Sequence, residues 1–158
     1  MTTAYLFHKD SVLLMKRSSQ RSFIPGVWSG VGGHVHSNEF ADIKAACFRE
    51  IEEETGLRLT NIQSFSLKYV LLRIRNNELR QQFVYFGTTN TNQIGVTDEG
   101  TLHWIPSNHV FEYRMTDSNR LMLEHYFDNP PSNEVWVGTM RGDEMQPQTN
   151  WALMSDWE

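Results

Sequence analysis

Residues 32 to 57 read GGHVHSNEFADIKAACFREIEEETGL and hold the densest group of carboxylates in the chain. Glu50, Glu53 and Glu54 stand at i, i+3 and i+4, so a helix over 44–55 projects all three from one side within a single turn. Three like charges at that spacing repel one another. A helix made only for solubility would interleave lysines, yet Arg49 is the one basic residue between positions 49 and 54. A divalent cation is the natural neutraliser, because a hard ion such as Mg²⁺ takes carboxylate oxygens and keeps positions for water and for phosphate oxygens. The flanking glycines suit the same purpose. Gly32 and Gly33 let the backbone come close before the helix, and Gly56 is placed to stop it in a left-handed conformation.

This stretch resembles the signature box of the Nudix hydrolases, G-x5-E-x7-R-E-U-x-E-E-x-G-U with U aliphatic. Gly33, Glu39, Arg49, Glu50, Ile51, Glu53, Glu54, Gly56 and Leu57 match its named positions. One spacing departs: nine residues lie between Glu39 and Arg49 where the pattern has seven. Two extra residues inside a helix would rotate every later side chain by about 200°. The insertion is therefore expected in a loop around 40–43, which leaves the carboxylate turn intact and puts only the role of Glu39 in question. His36 stands where many relatives carry an acid. The resemblance implies an α/β fold, the Nudix-type α/β/α sandwich with a mixed β-sheet. It implies Glu53 and Glu54 as metal ligands with the Gly32 carbonyl, Glu50 as a further ligand or the base, and Arg49 as the group that steadies the carboxylates. The implied cofactor is Mg²⁺, with Mn²⁺ as a substitute.

Outward toward the N-terminus, residues 3–8 and 11–17 are short strand-like runs joined as a hairpin at His8-Lys9-Asp10. Lys16-Arg17 ends the second. In the resembled family a basic residue there faces substrate phosphates, which makes Arg17 a substrate-binding candidate; a solvated strand end is the equal alternative. Residues 18–26 form a loop, and 27–31 a short strand delivering the glycines. Trp28 reads first as a core or rim aromatic and second as a platform for a base. His34 and His36 alternate, but no third ligand stands near at zinc spacing. Cys47, Phe48 and Ile51 form an apolar stripe beside the acids, so Cys47 is a core residue.

Toward the C-terminus, strands are expected over 62–75 and 79–89 with a turn at Asn76-Asn77. Phe83 and Tyr85 serve either the core or a ligand. Arg73, Arg75 and Arg80 mark a solvated hairpin tip. The run from Glu99 to Pro106, EGTLHWIP, is similar to a segment that many Nudix hydrolases carry after the box, which makes Glu99 a candidate extra metal ligand or base. Leu102–Ile105 is a strand, 116–127 a helix capped by Thr116 or Asp117 and stopped at Asn129-Pro130-Pro131, and 134–140 a strand ending in a turn at 141–143. The tail, with Trp151 and Trp157, is expected to pack on the domain.

Composition sets the limits. The 158 residues are read as one domain, 1–158, with 39% hydrophobic residues and a net charge of −5. That sign argues against a nucleic-acid polymer as partner. No apolar run is long enough for a membrane span, and the first residues lack a signal-peptide pattern, so a cytoplasmic protein without a membrane partner is expected. The single cysteine agrees with that. A nucleotide is the expected small-molecule partner, and a homodimer is compatible with the sequence. By resemblance the chain is a divalent-metal-dependent hydrolase of nucleoside diphosphate-linked compounds. The first choice is a nucleoside triphosphate diphosphatase, with 8-oxo-dGTP as one substrate and Trp28, Phe83, Tyr85 and Asn108 as base-contacting candidates. The alternatives are an ADP-ribose or dinucleotide polyphosphate pyrophosphatase, or a sensing module that binds a nucleotide without cleaving it. Retention of every box carboxylate favours catalysis.

Overall fold

The computed structural model describes residues 1–18, 26–129, 132–141 and 147–155. Among these, eight strands and two α-helices form a mixed sheet with one helix on each face. The strands are β1 (Thr2–His8), β2 (Ser11–Arg17), β3 (Trp28–Ser29), β4 (Ile62–Arg75), β5 (Glu78–Thr89), β6 (Gly100–Pro106), β7 (Val135–Arg141) and β8 (Gln148–Met154). The helices are α1 (Ile43–Thr55) and α2 (Asp117–Asp128). The sheet runs β3-β2-β1-β5-β4-β7-β8, and β6 pairs with β2 off that path. β1 lies parallel to β5, and β4 parallel to β7; the other pairings are antiparallel.

The central strands are apolar on both faces because both faces are covered. From β1, Ala4 and Leu6 join Cys47 and Ile51 of α1 in one core cluster. Tyr5, between them, joins Met122 and Leu123 of α2 in the other. β2 divides likewise: Leu13 and Met15 face α1, while Val12 and Leu14 face α2. This is the α/β/α arrangement expected from the sequence.

Two β-hairpins obey their turn residues. Lys9, Asn76 and Asn77 have φ of 53°, 52° and 61°, left-handed values that tight hairpin turns require. α2 takes its cap from Thr116, whose hydroxyl accepts the N–H of Asn119. Three expectations need correction or fall outside the described residues. The strand expected over 27–31 is only two residues long, because Gly30 and Gly32 pass so close to β1 that a Cβ on either would stand 2.5 Å from a backbone carbonyl oxygen; Val31 keeps a single bridge to Ala4. The tail does pack on the domain, but as an edge strand: β8 pairs with β7 along seven residues, and Trp151 lies against the α2-side core. Most of the loop over 18–26, the prolines after α2, the turn after Arg141 and Trp157 lie outside the described residues. No described helix is long and apolar enough to cross a membrane.

Candidate active site

The site begins with how α1 is held. Asp42 accepts the Ala45 N–H at 2.9 Å to start the helix, and Gly56, at φ 71°, ends it by returning its N–H to the Glu52 carbonyl. The two residues beyond the box spacing are absorbed before Asp42. A turn at 40–41, between the 3-10 turn over Ser37–Glu39 and the start of α1, takes them up, so the helical carboxylates keep their register.

Arg49 organises the acids. Its Nε donates to Glu39 Oε1 at 2.6 Å and its Nη2 to Glu39 Oε2 at 3.0 Å. Nη1 donates to Glu53 Oε2 at 2.9 Å, and Nη2 pairs with Glu50 Oε1 at 2.9 Å and reaches the His34 carbonyl. The fork geometry of guanidinium permits this sharing. Glu39 thus joins the site through Arg49 despite the longer spacing. That guanidinium, together with the His36 N–H, holds the Glu39 carboxyl down to about 2. The same contacts push the Arg49 guanidinium further up, so it stays charged.

Glu54 differs from its neighbours. It is 6% exposed, and it accepts the Gly32 N–H at 2.7 Å. Burial pushes its carboxyl up to about 7; the Gly32 hydrogen bond and Arg17 oppose the rise, and Glu50 and Glu99 add to it. Glu50 lies against Gly33, where a Cβ would stand 2.5 Å from its Oε2, so the second glycine leaves room for that carboxylate. A cleft of about 760 Å³ gathers Glu50, Glu53, Glu54 and Glu99 with Arg17 and Arg49. Glu99 arrives from the segment between β5 and β6: the Gly95 N–H donates to the Thr55 carbonyl at 2.7 Å, and Trp104 Nε1 to the Asn92 carbonyl, which hold the 90–99 loop beside the end of α1.

Arg17, Gly32, Arg49, Glu50, Glu53, Glu54 and Glu99 are therefore brought together. Trp28, Phe83, Tyr85 and Asn108 are not, and none of them lines the carboxylate cleft. Tyr85 is 5% exposed and stacks on Phe65 at 5.0 Å within the α1-side core, which leaves its ring no free face for a base. Phe83 packs in the same cluster. Trp28 packs against Tyr113 and His103 at 4.4 and 5.1 Å, and Asn108 is exposed on a 3-10 turn over Ser107–Glu112. The sequence reading missed Met1, His34, His36 and Asp98 as walls of the cleft. His34, His36 and Asp98 carried only the signal of proximity to the box or to Glu99, and Met1 carried none.

A hard divalent cation suits this donor set of carboxylate oxygens, in which burial first, and repulsion from Glu50 and Glu99 after it, raise Glu54. Arg49 and the Gly32 N–H hold the carboxylates apart, and among the described residues no three such side chains stand at metal-ligand spacing. Glu50, Glu53 and Glu54 would be the residues to hold it.

The family model for the NUDIX domain matches residues 2–136. A mutator MutT protein from Bacillus halodurans superposes with a TM-score of 0.70 at 19% identity, covering 96% of this chain and 95% of that one. A MutT NUDIX hydrolase from Burkholderia pseudomallei gives 0.62 at 26% identity, covering 78% and 93%. The m7GpppN-mRNA hydrolase NUDT17 of Xenopus laevis is 45% identical over 51 residues, which are 32% of this chain; the match spans only 17% of that relative.

Proposed function

The chain belongs to the NUDIX domain family, and from that premise we propose that it is a hydrolase that cleaves a nucleoside triphosphate between its α and β phosphorus atoms, with Mg²⁺ or Mn²⁺ as cofactor. The observation that carries this reading is the Arg49-clamped carboxylate turn, facing Glu99 and Arg17 across one cleft. When bound, the cation neutralises phosphate oxygens and makes a water more acidic.

The chain's own residues account for the rest. Arg17, close enough to Glu54 to lower its proton affinity, supplies a cation for phosphate oxygens that the acidic cleft would otherwise repel. Glu50 and Glu99 supply carboxylates within the cleft, and one of them accepts the proton of the attacking water. Water oxygen bonds to phosphorus as the bridging P–O bond breaks, so monophosphate and pyrophosphate leave. Arg49 holds Glu50 and Glu53 in place, and Glu39 holds Arg49.

The test is product analysis for dGTP, 8-oxo-dGTP, ADP-ribose and a diadenosine polyphosphate, with and without Mg²⁺. Metal-dependent release of pyrophosphate and monophosphate from a triphosphate is expected. A tenfold or greater kcat/KM advantage for ADP-ribose would overturn the triphosphate assignment while leaving the carboxylate roles intact.

A further inference from the structure

On the α2 side of the sheet, beside the last turn of that helix, a cavity of about 500 Å³ opens between β1, β4 and β5. It shares no lining residue with the carboxylate cleft, which takes Met1 from the start of the chain where this cavity takes Phe7 near the end of β1. The course of β4 creates the opening. Between the pairs Gln63–Thr88 and Ser66–Phe86, and again between Leu67–Tyr85 and Tyr69–Val84, β4 runs one residue longer than β5. Two bulges so close bend the strand, and Ser64, Phe65 and Lys68 fall outside the ladder's pairs. Ser64 takes φ 48°, a left-handed value at which an L side chain crowds its own backbone. The sheet carries that strain where Ser64, Ser66 and Lys68 line the cavity, and strain held in place by its surroundings is a mark of a functional position.

The floor is aromatic. Phe86 stacks on Tyr126 at 4.0 Å, and Phe7 lies 5.9 and 6.1 Å from the two. Phe86 is buried, whereas Phe7 and Tyr126 are half-buried and keep ring atoms open to the space. Around this floor stand hydroxyl and amide groups, among them Ser66 and Thr88 on the two strands and Asn133 beyond α2. Lys68 is the one ionised side chain among the described lining residues, and it donates to the Ser132 carbonyl. Pro130 and Pro131, which precede Ser132 and lie outside the described residues, add no charge. An ammonium has three donors, and Ser132 takes one. A carboxylate or phosphate oxygen therefore meets a charge-assisted donor with hydroxyls beside it, while a flat apolar body meets the rings. The volume lies within the range of small-molecule sites, about 300–1,000 Å³.

We propose that this cavity is a binding site for a small organic anion with an aromatic body, separate from the carboxylate cleft. Binding there involves no bond cleavage, so it is independent of the reaction proposed above.

Calorimetry on the full chain with indole-3-acetate, its alcohol analogue tryptophol, and acetate separates the charge from the ring. Indole-3-acetate is expected to bind with a Kd at least tenfold lower than either of the others. Lys68→Met is expected to raise that Kd at least tenfold and to leave the tryptophol value within twofold. Thr88→Trp, at an exposed position whose new ring fills the space, is expected to abolish binding of both indoles, and it tests the cavity even where Lys68→Met fails to fold. Absence of binding, equal affinity for indole-3-acetate and either analogue, or unchanged affinity in both variants overturns the proposal. Loss of binding in Arg17→Ala with Lys68→Met unaffected also overturns it, because the anion then occupies the carboxylate cleft.

Discussion

Arg49 meets Glu39, Glu50 and Glu53 with one guanidinium, which makes a turn of like charges tolerable. Glu39 can be tested by pH. Its folded value of about 2 lies below the ordinary 4.5, so its contribution to stability is complete above pH 4.5 and is lost as pH falls through the folded value. Glu39→Gln should therefore lower the denaturation midpoint at pH 6, and its gap from wild type should close as pH falls toward 2. A gap independent of pH would refute that account. Glu54 behaves in the opposite way. Glutamine there keeps an acceptor for the Gly32 N–H while removing a buried charge, so Glu54→Gln should lose a factor on the order of 10² or more in rate without a lower Tm. Glu53, with its side chain 58% exposed, should show the same loss of rate and an unchanged Tm as Gln. Full turnover by either variant at ordinary Mg²⁺ would remove that residue from the chemistry.

At the scale of elements, α1 must end where it does for Thr55 and Gly56 to meet the 90–99 loop. Gly56 sits at φ 71°, and the nearest atom to a Cβ there is 3.9 Å away, so Gly56→Ala meets backbone strain rather than a clash. The expected cost is about 1–2 kcal/mol. Urea denaturation checks it, and an unchanged midpoint would mean that the helix end relaxes freely. β6 and the loop before it matter for a different reason: they carry Glu99 to the carboxylates. Glu99→Gln should lower kcat more than it raises KM, since a ligand or base acts mainly in the transition state. Unaltered kinetics in that variant, alongside an inactive Glu54→Gln, would confine the chemistry to α1.

For the molecule as a whole, the carboxylates converge only when α1, the Gly32–Gly33 loop and the segment before β6 are assembled on one sheet. A cation that binds this assembly and not the unfolded chain stabilises the fold by mass action. Added Mg²⁺ or Mn²⁺ should raise the wild-type Tm, and the rise should shrink in Glu53→Gln. Saturating metal that changes neither the melting curve nor the activity would count against the carboxylate cleft as a metal site.

The spacing of Glu50, Glu53 and Glu54, the stop of α1 at Gly56, the cap of α2 at Thr116 and the first two strands were legible in the sequence, because each depends on neighbours within a turn or along one strand. Tertiary structure decided the rest. Tyr85 could not be assigned to the core or to a ligand until α1 and Phe65 were seen to cover it. The attachment of Glu39 depended on where the two extra residues were absorbed, which is settled by the reach of Arg49 and not by spacing. The approach of Glu99 to Arg17 arises where the β2–β6 ladder ends, a meeting of segments more than seventy residues apart. Local pattern fixes which side of an element a residue occupies; only the packing of distant elements fixes what stands opposite it.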